Sequence, residues 1–151
     1  LADTVDAVVM GYHVGQGKRT GFGIGDFLIG VYEAKTEKFV TIAKVGTGLT
    51  DEEWRRMAAS LKSQETSNKP ENYEVNKVMN CDYWARPKIV VEIQADEITK
   101  SPMHSSVYAL RFPRLISWRE KKPADATSLQ ELVKMFKMQK EGHATEDGDS
   151  K

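Results

Sequence analysis

Short runs of β-branched and aromatic residues limit the fold of this chain more than any other feature. Glycine, proline or polar residues bound each run, as is typical of strands, and four runs stand out: 5–12, 27–33, 39–45 and 89–95. In the last run every second residue is apolar, which predicts a half-buried strand. Residues 107–118 could supply another strand or two around Pro113, which would lie at an edge or a bulge. Because no βαβ alternation accompanies these runs, the sequence predicts a mainly β fold, a five-stranded Greek-key barrel of the OB type.

Two helices are expected beside the strands. Thr50 followed by Glu53 forms a capping box, in which each side chain accepts a bond from the other residue's backbone N–H and a helix begins. Thr127 followed by Gln130 repeats this pattern ahead of a second apolar stripe. We therefore expect one helix inserted between strands and one C-terminal helix, with residues 63–76 forming a polar loop.

The charges are balanced overall but not along the chain. With 22 basic and 22 acidic side chains, the net charge is zero. Residues 111–140 hold 8 basic and 3 acidic groups, whereas residues 141–151 hold 1 and 4. The basic segment fits either a polyanion-binding surface or a solvated face. Residues 141–151 carry no large apolar side chain, so we expect a folded domain at 1–140 followed by an acidic disordered tail.

The composition excludes several classes of protein. No stretch approaches the roughly 18 apolar residues that a membrane-spanning helix needs, so no membrane partner is expected. The single cysteine, Cys81, excludes an internal disulfide and suits a reducing compartment, which predicts a cytoplasmic protein. His13, His104 and His143 are too scattered to pair as ligands, so no metal site is expected. The chain starts at Leu1 without an initiator Met, and we expect it to be a piece of a longer protein.

Three cations and one aromatic ring beside glycine turns are candidate nucleic-acid contacts. Lys18 and Arg19 stand on a Gly-rich turn, where the backbone can come close to a phosphate; a solvated hairpin is the alternative. Phe27 begins a strand, where its ring either presses against a sugar in a minor groove or joins the core. Lys44 adds a third cation beside a second glycine turn.

Residues 110–123, LRFPRLISWREKKP, form the most distinctive segment. Three arginines and two lysines alternate with apolar residues, so that one face can pack while the other presents cations to phosphates. This segment resembles the last nucleotidyltransferase motif of the ATP-dependent DNA ligases. Further motifs resemble the same family, in order, over residues 2–133: Asp3-Thr-Val-Asp6, Val9-Met-Gly11, Gly17-Lys-Arg19, Phe27, Lys44-Val-Gly-Thr-Gly48, Thr50-Asp-Glu52, Ala95-Asp96, Ser101-Pro102, Pro123 and Ala126-Thr127.

The resemblance implies a fold, a reaction and a set of partners. The chain would be the C-terminal OB domain of an archaeal or bacterial enzyme that uses ATP and Mg²⁺ to seal nicked double-stranded DNA in replication, repair or recombination, close to the nucleoid. An adenylation domain of the same chain would carry the reactive lysine. That lysine takes AMP from ATP and passes it to the 5′-phosphate, and the 3′-hydroxyl then displaces it.

By position, the resemblance also assigns residues to two faces of the domain. Three residues would orient the ATP triphosphate during adenylation: Arg111, Arg119 and Lys122. Four residues would bind DNA: Lys18, Arg19, Phe27 and Lys44. Among these, Phe27 resembles the ring that family members press into the minor groove beside the nick, and cations that position phosphates are the chemistry expected of phosphoryl transfer.

Two features depart from the family pattern. The nucleophilic motif K-x-D-G is absent, so this chain cannot form the lysine–AMP intermediate by itself. The final motif of the family is R-x-D-K, whereas the residues from Arg119 to Lys122 read Arg-Glu-Lys-Lys and include no Asp. Either Glu120 compensates for the missing Asp or the adenylation step is impaired.

Two other functions remain open. A stand-alone OB module could bind nucleic acid without chemistry, although the aromatic residues do not cluster on one predicted sheet face as a stacking platform requires. A domain of an RNA ligase or a capping enzyme shares the final motif, but the run from Lys44 to Glu52 is not part of its pattern.

Overall fold

A computed structural model of the chain describes residues 1–15 and 21–146, with the side chains of the last helix described as far as Gln139. This part of the chain holds ten strands and two α-helices. In chain order they are β1 (Val5–His13), β2 (Asp26–Glu33), β3 (Lys38–Val45), α1 (Asp51–Gln64), β4 (Glu65–Thr66), β5 (Tyr73–Glu74), β6 (Tyr83–Ala85), β7 (Val90–Gln94), β8 (Glu97–Lys100), β9 (Tyr108–Arg111), β10 (Arg114–Arg119) and α2 (Leu129–Glu146). The four predicted strand segments are all present.

The strands form a curled sheet in the order β10-β7-β1-β2-β3-β5, in which neighbours are antiparallel except for the short β3–β5 pair. Strand β6 pairs with both β1 and β4, while β8 and β9 form a separate two-stranded sheet. The register shifts in the β1–β2, β2–β3 and β7–β10 pairs, and such bulges bend the strands. The sheet is thus a half-barrel, and the prediction of a mainly β fold of the OB type is confirmed.

Apolar side chains fill both faces of the central strands. The larger cluster packs strand residues against the buried face of α1 and includes Phe27, Ile42, Ile93, Trp54 and Leu61. A second cluster covers the opposite face and includes Met10, Leu28, Phe39 and Tyr73. Because both faces are covered, seven of the nine residues of β1 are buried.

Close packing between β2 and β3 requires a glycine at position 30. A Cβ on Gly30 would lie 2.5 Å from the sulfur of Met10 and 2.5 Å from the carbonyl oxygen of Val40. The second of these atoms belongs to the backbone of β3 and cannot turn aside. A side chain at this position would therefore push two paired strands apart.

Helix α1 begins at the predicted capping box. The hydroxyl of Thr50 accepts a bond from the Glu53 N–H at 3.1 Å, and the Glu53 carboxylate accepts one from the Thr50 N–H at 2.8 Å. Asp51, Glu52 and Glu53 add negative charge in the first turn, where the helix dipole favours it. The expected loop at 63–76 is corrected, because α1 continues to Gln64 and the two short strands β4 and β5 follow within that stretch.

Helix α2 begins one residue later than the sequence predicts. The capping box is formed by Ser128 and Glu131, whose side chains accept bonds from each other's N–H groups at 3.1 and 2.9 Å. The hydroxyl of Thr127 is occupied elsewhere, because it accepts the N–H of Asp6 in β1 at 2.9 Å. The helix runs to Glu146, past the expected boundary at 140, and residues 147–151 lie outside the described part of the chain.

Neither of these helices combines the length and the apolar character that crossing a membrane would require.

Candidate nucleic-acid interface

Three strand ends meet at one edge of the sheet, where the Gly-rich segment joins β1 to β2. The strand pairing places His13 opposite Asp26, and Phe27 opposite Val45. The N–H of Gly25 donates to the carbonyl of His13 at 2.8 Å and closes the connection. We call this edge the loop edge. Lys18 and Arg19, the predicted DNA contacts, stand between β1 and β2 in the sequence. Both lie outside the described residues.

Lys44 lies on β3 near the loop edge and is half-buried. Its ammonium has neither a hydrogen bond nor an ion pair among the residues that the structure describes. Its positive charge acts on two neighbouring groups: it lowers the pKa of His104 and opposes the rise in the pKa of Cys81. Lys44 therefore remains a cation that is available to an anion approaching this edge.

Phe27 is a core residue, which corrects its prediction as a groove contact. Its side chain is 0% exposed, and its ring meets the ring of Trp54 edge-on with the centroids 6.2 Å apart. Trp54 comes from α1, which lies over this part of the sheet and covers the ring. In the structure described here Phe27 cannot reach a sugar or a base.

The acidic side chains beside the loop edge are already engaged. The Nδ1 of His13 lies 2.7 Å from the Asp26 carboxylate, and its Nε2 lies 2.7 Å from the carbonyl of Asn80. Both ring nitrogens of His13 thus lie within hydrogen-bond distance of oxygen atoms of the protein. The Asp82 carboxylate accepts the N–H of Val14 at 2.9 Å. Both carboxylates thus accept hydrogen bonds, and Asp82 remains exposed.

A buried histidine fastens the segment after β8 to β3. The Nδ1 of His104 lies 2.9 Å from the Thr41 hydroxyl, and the Thr41 N–H donates to the Ser105 hydroxyl at 2.9 Å. His104 is 6% exposed, and burial, helped by the charge of Lys44, lowers its pKa to about 4. The ring is therefore neutral at pH 7. Burial acts on Cys81 in the opposite sense and raises the pKa of its thiol to about 12.

The basic segment that resembles the final motif is divided between two ends of β10. At its C-terminal end, Arg119 lies 3.9 Å from the carboxylate of Asp6 and 3.8 Å from that of Glu92. Lys121 binds Asp6 more closely, with 2.6 Å between Nζ and Oδ2. Lys122 is exposed and has no ionic partner among the described residues. It is the cation of this group that is most available to a ligand.

Arg111 lies beside the other end of β10. Its guanidinium is 3.2 Å from the Glu97 carboxylate and 5.2 Å from the ring centre of Phe112. The two ends of β10 are Arg114 and Arg119, which five steps of about 3.3 Å separate by roughly 16 Å. The structure therefore brings Arg119 and Lys122 together but leaves Arg111 apart from them.

Two cations of α1 were not among the predicted contacts. The guanidinium of Arg55 lies 5.8 Å from the ring centre of Phe22, and Lys62 lines a groove of about 310 Å³ beside the same ring. Their seven-residue spacing places them on one helix face, which is the signal that could have identified them. Phe22 follows the Gly-rich segment, so these residues adjoin the loop edge.

Among the described residues, no group of three or more His, Cys, Asp or Glu side chains is arranged to hold a metal ion.

Residues 20–122 match the family model described as the C-terminal region of ATP-dependent DNA ligases. The chain is 46% identical over 159 residues to a probable DNA ligase of Dictyoglomus turgidum, which covers 99% of the chain and 27% of that protein. It is 40% identical to a DNA ligase of Hyperthermus butylicus, over 92% of the chain and 24% of that protein. It is 36% identical to DNA ligase 1 of Arabidopsis thaliana, over 97% of the chain and 20% of that protein. The chain thus spans about a quarter of the length of such relatives.

The fold is also similar to a solved structure. The ligase domain of LigD from M. tuberculosis superposes with a TM-score of 0.63, over 83% of the chain and 38% of that domain. At 24% identity this similarity concerns the fold alone.

Proposed function

The chain belongs to the C-terminal region of the ATP-dependent DNA ligases, and from this premise we propose that it binds nicked duplex DNA and orients the triphosphate of ATP for a nick-sealing enzyme. The family match over residues 20–122 is the observation that carries this proposal. The reactive lysine would belong to an adenylation domain elsewhere in the same protein. A DNA substrate would place the enzyme in the cytoplasm, near the nucleoid.

We propose that the loop edge is the DNA-binding side. Lys44 is free of ionic partners among the described residues, while Asp26 and Asp82 are held by hydrogen bonds. A phosphate approaching this edge would therefore meet an available cation, beside carboxylates that already accept hydrogen bonds from the protein. Lys18 and Arg19 stand between β1 and β2 in sequence and would add two further cations. Phe27 is left out of this surface because it is buried.

We propose that Lys122 and Arg119 contact the triphosphate. In adenylation, the lysine nitrogen forms a bond to the α-phosphorus, the bond to the bridging oxygen breaks, and pyrophosphate leaves with the electron pair. Cations placed beside the leaving group stabilise the negative charge that it gains. Lys122 can supply that charge without losing an existing ion pair, and the guanidinium of Arg119, at 3.8–3.9 Å from two carboxylates, can exchange partners.

The remaining cations of the motif have different roles in this proposal. Lys121, at the position of the missing Asp, is bound to Asp6 and would stabilise the domain instead of the nucleotide. Arg111, beside the far end of β10, would reach a triphosphate only if that ligand lay along the strand. No step is assigned to Mg²⁺ on this chain.

Self-adenylation of the whole ligase that contains this chain tests the proposal. Transfer of labelled AMP from ATP to the enzyme is measured for Lys122→Ala and for Lys134→Ala, a matched change at an exposed lysine of α2. We expect Lys122→Ala to slow adenylation by roughly 10²-fold, the usual cost of removing one group that stabilises a developing negative charge. Lys134→Ala should adenylate at the rate of the unchanged enzyme.

Two results would contradict the proposal. Equal rates for Lys122→Ala and Lys134→Ala would remove Lys122 from the triphosphate site. Binding of DNA by the whole protein without any enzyme–AMP formation would support the alternative of an OB module that binds nucleic acid without chemistry.

A further inference from the structure

We propose that the outer face of α1 carries a second binding site for the sugar–phosphate backbone of DNA, formed by Arg55, Lys62 and the ring of Phe22. The site adjoins the loop edge and extends it over the helix. This inference rests on the proposed function, since it names a further part of the surface that would hold the same duplex.

The spacing of the two cations fits a nucleic-acid strand. Arg55 and Lys62 are both exposed and are seven residues apart, so they lie on one face, about 10 Å from each other along the helix axis. Three nucleotides of one strand advance by about the same distance along duplex DNA. The two side chains can thus neutralise phosphates of a single strand without bending it.

The floor of the site is a groove of about 310 Å³ between the helix and the segment that leads into β2. Two alanines, Ala58 and Ala59, leave room between the cations, and Phe22 closes the groove on the other side. An apolar floor with cations at its rim is complementary to a sugar–phosphate strand, whose sugars are apolar on one side and whose phosphates are charged.

The two cations without ionic partners favour a polyanion as the occupant, even with Asp51 and Glu52 in the turn before Arg55. Arg55 and Lys62 have no carboxylate partner among the described residues. The nearby Glu65 accepts a hydrogen bond from the hydroxyl of Tyr12 at 2.7 Å, which directs its charge into the protein. The Phe22 ring lies 5.8 Å from the guanidinium of Arg55, so the planar group is held in place while its N–H groups remain free to donate to a phosphate.

The test compares two double variants of this 151-residue chain with equal changes of charge. Arg55→Ala/Lys62→Ala removes the proposed site, and Lys134→Ala/Lys137→Ala removes two exposed cations from α2. The dissociation constant for a nicked duplex of about 20 base pairs is measured by fluorescence anisotropy over a series of salt concentrations. The slope of log K against log salt falls by about 0.9 for each phosphate contact that is lost.

We expect Arg55→Ala/Lys62→Ala to weaken binding about 10-fold at low salt and to reduce the slope by about 1.8, with no change for the α2 variant. Arg55→Lys should retain most of the slope, because the charge remains. Thermal unfolding of each variant shows whether the fold is kept.

Failure of this inference differs from failure of the proposed function. If Lys18→Ala/Arg19→Ala weakens binding while Arg55→Ala/Lys62→Ala behaves like the α2 variant, the second site is wrong and the DNA-binding function stands. If the unchanged chain does not bind the nicked duplex even at low salt, this inference and the DNA-binding part of the proposed function are both overturned.

Discussion

The guanidinium of Arg56 in α1 lies 4.2 Å from the centre of the Trp118 ring in β10. Arg56 is adjacent in sequence to Arg55, and Trp118 is adjacent to Arg119. One helix therefore contacts both the strand that carries the proposed triphosphate residues and, through Arg55, the ring of Phe22 near the loop edge. Helix α1 therefore contacts both proposed binding surfaces, through Arg56 at Trp118 and through Arg55 at Phe22.

Replacing Arg56 by Ala removes the contact with Trp118 and should lower the stability of the domain. A stacked pair of cation and indole contributes about 1 kcal/mol when one face is shielded from water, and we expect the free energy of unfolding to fall by that amount. For a chain of this size the melting temperature would fall by roughly 3 °C. Calorimetry compares Arg56→Ala with Lys62→Ala, whose ammonium makes no cation–ring contact among the described residues. Equal melting temperatures for the two variants would contradict the expectation.

Phe27 provides a test of packing against DNA contact. Because the ring is fully buried against Trp54, we expect Phe27→Ala to lower the free energy of unfolding by about 4 kcal/mol in urea titrations. Phe27→Leu retains most of the volume and should cost about 1.5 kcal/mol, with unchanged affinity for a nicked duplex. A Phe27→Leu variant that folds normally but binds DNA much more weakly would restore Phe27 to the DNA-binding face.

The stability of the domain should depend on pH through His104. Its pKa in the folded chain is about 4, below the ordinary value of 6.5, so the unfolded chain binds the proton more readily between these values. The contribution is fully present above pH 6.5 and is lost as the pH falls toward 4. The loss amounts to about 3 kcal/mol, since each pH step between the two pKa values is worth about 1.4 kcal/mol.

Urea unfolding at several pH values measures this loss. His104→Gln has no titrating ring at this position, so its stability curve should be flatter between pH 6.5 and 4 than that of the unchanged chain. Identical slopes for the two proteins in this range would show that protonation of His104 does not oppose folding.

Cys81 should be slow to react in the folded chain. With a pKa of about 12, only about one thiol in 10⁴ is ionised at pH 8, and the thiolate is the reactive form. We expect alkylation by iodoacetamide, followed by mass spectrometry, to be at least 100-fold slower in buffer than in concentrated guanidinium chloride. Similar rates in both solutions would show that the thiol is accessible and ionised in the folded state.

The start of α1 follows from local sequence alone, whereas the start of α2 depends on a contact with a distant strand. The capping box of Thr50 and Glu53 is a matter of four consecutive residues, and it is present as predicted. The second box is displaced to Ser128 because Thr127 bonds to Asp6, which is 121 residues away. No pattern within the helix could reveal that partner.

The same dependence on distant contacts explains why the sequence did not predict the positions of Phe27 and Arg111. The interior of β2 is buried on both faces, so the alternation of its residues gave no indication that Phe27 points to the core. The basic segment appeared continuous, but it turns at Phe112, which has a φ of 52°. Because of that turn, Arg111 lies beside Glu97 and Arg119 lies beside Asp6. The order of residues in the motif does not predict the turn.

The bond between Lys121 and Asp6, which spans 115 residues, affects how the chain can be made as well as how it is held. During synthesis β1 precedes its strand partners: β2 follows closely, whereas β6, β7 and the segment around Lys121 come much later in the sequence. Closing loops of this length is slow because entropy is lost before the contact forms. Strand β1 therefore stays partly unpaired until the segment around Lys121 has been synthesised.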